Sequence, residues 1–147
     1  MKRMLTAVLS ALALAFAATG VLAEGKTHKL AIHVNQNDPA VMNLALNNAK
    51  NVAEWYKSKG DKVTIELVAY GPGLHMLRSD TSPVKQRISS MALELPDLSF
   101  AACGNTHTAM SKTEGKEVPL LGESKMVTSG VVRLIELQEQ GYAYLKP

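Results

Sequence analysis

A single cysteine, Cys103, rules out any disulfide within this chain of 147 residues. No CxxC, no HxxxH and no run rich in methionine or histidine is present, so the compact signatures of a metal centre are missing. Gly71-Pro72-Gly73 lacks both the Lys-Ser/Thr ending of a P-loop and the spacing of a dinucleotide fingerprint. No Ser-His-Asp set is identifiable, which leaves nucleotide hydrolysis and serine-type hydrolysis without support, and no cofactor is expected. Like charges do not cluster and no basic stripe is interleaved with aromatics, so a nucleic-acid partner is not expected either. There is no internal repeat, no low-complexity linker and, beyond residue 23, no apolar run long enough to span a bilayer.

What is present begins with a leader. Lys2 and Arg3 precede an apolar run from Met4 to Phe16, and Val21 and Ala23 stand at the positions that signal peptidase reads, just ahead of the polar Glu24 and Gly25. This predicts export, cleavage after Ala23 and a periplasmic location with no stable membrane anchor after cleavage. An uncleaved anchor is the alternative, disfavoured because the apolar run falls short of the roughly 20 residues a spanning helix needs. Residues 24–147 are then one domain, large enough for one hydrophobic core. Sixteen Lys and Arg stand against 13 Asp and Glu in the whole chain, and losing Lys2 and Arg3 reduces the excess to one.

Leu30 to Asn35 reads as a strand, followed by Asp38-Pro39, an N-cap with proline in the first helical turn. Val41, Leu44, Ala45, Val52, Trp55 and Tyr56 recur at helical spacing until Gly60. Val63 to Val68 predicts a second strand, ended by Tyr70-Gly71-Pro72-Gly73, a stretch too rich in breakers to continue either element. Ser82-Pro83 repeats the cap-then-proline signal before a helix with the stripe Val84, Ile88, Met91, Ala92 and Leu95. Leu98 to Ala102 is a third strand, leading to a short helix over 106–112. Val118 to Leu121 is a further apolar run, and Met126 to Thr128 a fourth strand. Ser129-Gly130 caps a last helix holding Val131, Leu134, Ile135 and Leu137, before a final strand from Tyr142 to Leu145. This alternation predicts an α/β domain with a mainly parallel sheet covered on both faces. Ligands of such sheets lie outside the carboxyl ends of the strands. That rim holds His33 and Asn35, Gly71, Gly73 and His75, Gly104, Asn105 and Thr106, and Ser129.

Cys103 stands where the third strand hands over to a helix, so its sulfur is expected near unpaired N–H groups and the positive end of the helix dipole, both of which favour thiolate. The alternative is a small buried hydrophobe, the usual state of a free cysteine. His107 lies one helical turn beyond, within reach of the thiol if both share a face; a capping or exposed histidine is the plainer reading. Cys103, His107, Met110, His75 and Met76 together make a soft-donor set suited to Cu(I) or Zn(II). Against that, methionines are ordinary core fillers.

In order and spacing, Leu30-Ala-Ile-His-Val-Asn35, Ala45-Leu-Asn-Asn-Ala-Lys-Asn51, Ile65-Glu-Leu-Val-Ala-Tyr-Gly-Pro-Gly-Leu74, Phe100-Ala-Ala-Cys-Gly-Asn-Thr106 and Ser129-Gly130 leading to Leu137-Gln-Glu-Gln-Gly-Tyr-Ala-Tyr-Leu-Lys-Pro147 resemble the DsrE/DsrF-like family, in its small single-domain branch. The resemblance spans nearly all of residues 29–147. It implies a flavodoxin-like three-layer domain with a five-stranded, mainly parallel sheet, assembled as a homotrimer or hexamer. Sulfur-relay members of the family bear a cysteine persulfide at the end of the third strand, and the matching position is Cys103. The expectation is therefore a sulfur carrier rather than a turnover enzyme, with Cys103 and His107 as its reactive pair and a sulfur donor or acceptor protein as a possible partner. A non-catalytic oligomeric module that binds a small ligand or a soft metal ion such as copper is the alternative.

Overall fold

The structure, a computed structural model, describes residues 25–147; the expected leader over 1–23 and its cleavage site lie outside the described residues. Three apolar segments form strands that are buried almost continuously toward their carboxyl ends: β1 (Thr27–Val34), β2 (Lys62–Ala69) and β3 (Leu98–Cys103). Burial on both faces is what removes the polar alternation and marks central parallel strands. Two short, exposed strands, β4 (Ser124–Val127) and β5 (Ala143–Leu145), form the edges. All five are parallel, in the order β4-β3-β2-β1-β5, in a three-layer α/β flavodoxin-like domain.

The helices are α1 (Pro39–Ser58), α2 (Lys85–Glu94), α3 (Gly104–Glu114) and α4 (Gly130–Glu139). Stepping from β1 to β4 in one direction with right-handed crossovers puts α1, α2 and α3 on one face, and the return to β5 puts α4 on the other. The packing agrees. Ile32, Leu67 and Phe100 share a cluster with Met42 and Leu46 of α1 and Ile88 and Met91 of α2, with Met110 of α3 against it. Ala31, Val68 and Ala101 pack instead against Leu134 and Leu137 of α4. Neighbouring β3 and β4 therefore send their chains to opposite faces, and the crevice outside their carboxyl ends is the topological switch point.

Several local expectations change. The Asp38 carboxylate caps α1 by accepting from the Ala40 amide at 2.8 Å, but the buried stripe is Met42, Ala45, Leu46 and Ala49. Leu44 and Trp55 point outward, and Trp55 is 60% exposed beneath the Lys59 ammonium. Apolar residues occupy more of this helix than one stripe, and contact with the sheet selects among them. The breaker-rich stretch after β2 is a 3-10 helix, Gly71–Leu77, whose Leu74, Met76 and Leu77 enter the core. Gly73 is required there, since a Cβ would lie 2.3 Å from the Val34 carbonyl oxygen. Ser82 does not cap α2, which starts at Lys85; its buried hydroxyl donates to the Met76 carbonyl and accepts from the Val84 amide. Residues 118–121 form no strand, only a bridge between Leu120 and Arg78. Arg78, itself buried, pairs with Asp80 at 2.8 Å and with Glu114, tying this loop to the end of α3. Among the described residues no helix is long and apolar enough to cross a membrane.

Candidate functional site

Cys103 is the last residue of β3 and the N-cap of α3, which begins two residues earlier than the expected 106. Residues of β3 alternate between faces, so Cys103 shares the α4 side with Ala101. It stands at the switch point, with Gly104 close beside β4: a Cβ on Gly104 would sit 3.0 Å from the Val127 carbonyl oxygen. The Asn105 amide donates to the Thr128 carbonyl at 3.2 Å, joining the two loops. Gly130, the first residue of α4, has no room for a side chain, because a Cβ would meet Tyr70 at 2.8 Å and the Cys103 Cβ at 3.2 Å.

The electrostatics around the sulfur are those of an anion site. Cys103 is 4% exposed. Burial pushes its thiol up, but the Thr106 hydroxyl and the backbone amides of Gly130, Thr106 and Asn105 outweigh it and hold the thiol below its ordinary value. The sulfur forms no regular capping bond to α3; it lies among donors from two helix starts. Thr106 is oriented for this role. Its oxygen accepts from the Gly71 amide at 2.9 Å, which leaves the hydroxyl proton free for the sulfur. Gly71 adopts φ +53, a left-handed conformation natural to glycine, at the start of the 3-10 helix.

Two further rim groups lie on the same face. The His33 ring stacks on Tyr70 at 4.6 Å, and its Nδ1 is 2.7 Å from the Tyr144 hydroxyl. Its Nε2 and the Oδ1 of Asn35 are shielded and have no hydrogen-bond partner among the described residues. Burial, then the charge of Lys146, keeps the His33 imidazole below its ordinary pKa and hence neutral. Tyr70 links the two halves of the rim, touching the Gly130 and Cys103 corner on one side and His33 on the other.

His107 is not brought into this group. Its Nε2–H donates to the Val118 carbonyl at 2.8 Å, and the interactions that govern the sulfur come from Thr106 and the amides. His75 is half-buried on the 3-10 helix. Met76 is wholly buried in the main core and Met110 packs against that core, so the soft donors are dispersed. Among the described residues no group of three or more His, Cys, Asp and Glu side chains is placed to hold a metal ion. Ser129 precedes α4 without a side-chain cap; its carbonyl accepts from the Arg133 amide at 2.9 Å.

Sequence reasoning missed Tyr70 and Tyr144. Tyr70 is legible in hindsight, being in phase with Val68 on the α4 side. Tyr144 gave no signal, because only pairing of β5 with β1, Ala31 opposite Tyr144, brings it beside His33. Also missed was the pair beneath the rim: Arg133 of α4 donates from Nε and Nη2 to the two carboxylate oxygens of Glu66, each at 2.7 Å.

No family model matches the sequence, and no curated protein does. Among solved structures the chain is similar to MTH1491 of Methanobacterium thermoautotrophicum, a protein of unknown function, with 29% identity and a TM-score of 0.68 over 82% of this chain and 99% of that one.

Proposed function

We propose that this protein is an exported sulfur carrier of the DsrE/DsrF-like type that holds sulfane sulfur as a persulfide on Cys103. The observation that carries the reading is the placement of a lone cysteine at the sheet's switch point, at the head of α3 and against the first residue of α4, where neighbouring donors hold its thiol below the ordinary value. Loading requires no outside oxidant. The Cys103 thiol gives its proton to solvent, and the thiolate attacks an S–S bond of a polysulfide. A new S–S bond forms at Sγ, and the electron pair of the broken bond leaves on the shortened polysulfide. A persulfide is anionic at neutral pH, so the donors that favour thiolate also favour the loaded form. A sulfur this shielded suits a small, linear donor.

Assembly as a homo-oligomer outside the cytoplasm belongs to the same reading. Val131, Val132 and Ile135 on the outer side of α4 are each about half exposed, an apolar surface that association would cover.

Intact-mass measurement after treatment with inorganic polysulfide tests the proposal. The native chain should gain sulfur that dithiothreitol removes, and Cys103→Ala should gain none. Equal gain by the variant, or no gain by the native chain, sinks it.

A further inference from the structure

Of the four histidines, only His33 is buried, at 5% exposure. The groups facing it are Tyr70, the residue just after β2, Tyr144 from β5 and Lys146 from the tail just beyond. Tyr144 is itself held protonated by burial and then by neighbouring Tyr70. From the opposite layer α4 presents Leu134 and Leu137, while its Arg133 is engaged by Glu66. Cys103 lies beyond Tyr70. No carboxylate is among these contacts, so a proton added to His33 finds an aromatic face, a phenol and a like charge. The strand that supplies Tyr144 and leads into Lys146 is weakly held. β5 is three residues long, lies at the sheet edge, pairs only with β1 and leaves Tyr144 45% exposed.

We infer that the His33–Tyr144 contact is an acid-released latch on the C-terminal strand: protonation of His33, buried with an unpartnered Nε2 and no counter-charge, is relieved by detachment of β5 from β1. Detachment removes Lys146 and admits water to the imidazolium, two effects of the same sign. With β5 attached the pKa of His33 lies below 6.5, and with β5 released it returns toward 6.5. Attachment is thus fully favoured above that value. It weakens as pH falls through it, and stops weakening once His33 is protonated in the attached state as well. This inference does not depend on the chemistry of Cys103.

Hydrogen exchange of the native chain at about pH 7.5 and about pH 5, corrected for intrinsic rates, tests it. Protection of the β5 amides should fall about tenfold or more in acid while β2 stays protected. In His33→Phe, which keeps a ring on Tyr70 but cannot titrate, protection of β5 should be the same at both pH values. Lys146→Gln, which leaves the rim intact, should show a smaller acid loss than the native chain. Equal acid loss in His33→Phe, no loss in the native chain, or parallel loss from β2 would each overturn the latch.

Discussion

On one face of the sheet twenty buried residues form a continuous apolar cluster beneath α1, the 3-10 helix and α2; on the other, five are buried beneath α4 alone. The difference tracks where polar groups are tolerated. His33, Glu66 and Cys103 all project from the thinly covered face, and each must be compensated locally because a helix of ten residues cannot seal five strands. Glu66 receives a bidentate guanidinium, Cys103 has its thiol held below the ordinary value by donors at the starts of α3 and α4, and His33 meets a phenol at one nitrogen only. A thick face can supply stability while a thin one holds reactive groups within a few ångströms of the rim.

The contrast can be broken most directly by the same truncation on each side. Leu67→Ala should lower unfolding free energy by about 4–5 kcal/mol, because the sites around it are packed and rigid. Leu134→Ala should lower it by about 2–3 kcal/mol, since α4 can settle onto the sheet. Equal shifts in denaturant midpoint would show that the two faces are equally tight. Next in size, Glu66→Gln removes the bidentate partner of Arg133, leaving it only the longer contact to Glu136 at 3.4 Å, and should destabilise by about 2 kcal/mol. The double change Glu66→Leu with Arg133→Met should recover most of that.

A smaller effect concerns the sulfur. Thr106→Val removes the hydroxyl, so the thiol pKa rises, and alkylation of Cys103 by iodoacetamide at neutral pH should slow about tenfold. The rate should return at alkaline pH, and Thr106→Ser should behave like the native chain. An unchanged rate in Thr106→Val would mean that the hydroxyl does not hold the anion. Smallest of all, His107→Asn should lose about 1 kcal/mol of stability with its bond to Val118 and leave the alkylation profile unchanged. A slower reaction there would restore His107 to the site.

Period and punctuation made the architecture readable: Asp38-Pro39, Gly60 and Pro96 bracket elements that form within a few residues of the expected bounds. The place of Cys103 at a strand-to-helix junction was readable for the same reason, since the apolar run of β3 ends there. Which apolar stripe of a helix turns inward was not. Val131 and Ile135 look like core residues of α4, yet both are half exposed, because Leu134 and Leu137 meet the sheet instead. His107 looked like a partner for the thiol by spacing alone, but the nearest acceptor in space was a carbonyl eleven residues away.

Local sequence decided that strands and helices alternate, and therefore that a lone cysteine would emerge at the head of a helix, since backbone propensity and capping act over a few residues. Only the tertiary structure decided what meets the sulfur and the imidazole. Gly71, Gly130, Tyr70 and Tyr144 are distant along the chain from the groups they serve. Such contacts depend on strand order and register, which no short stretch of residues encodes by itself.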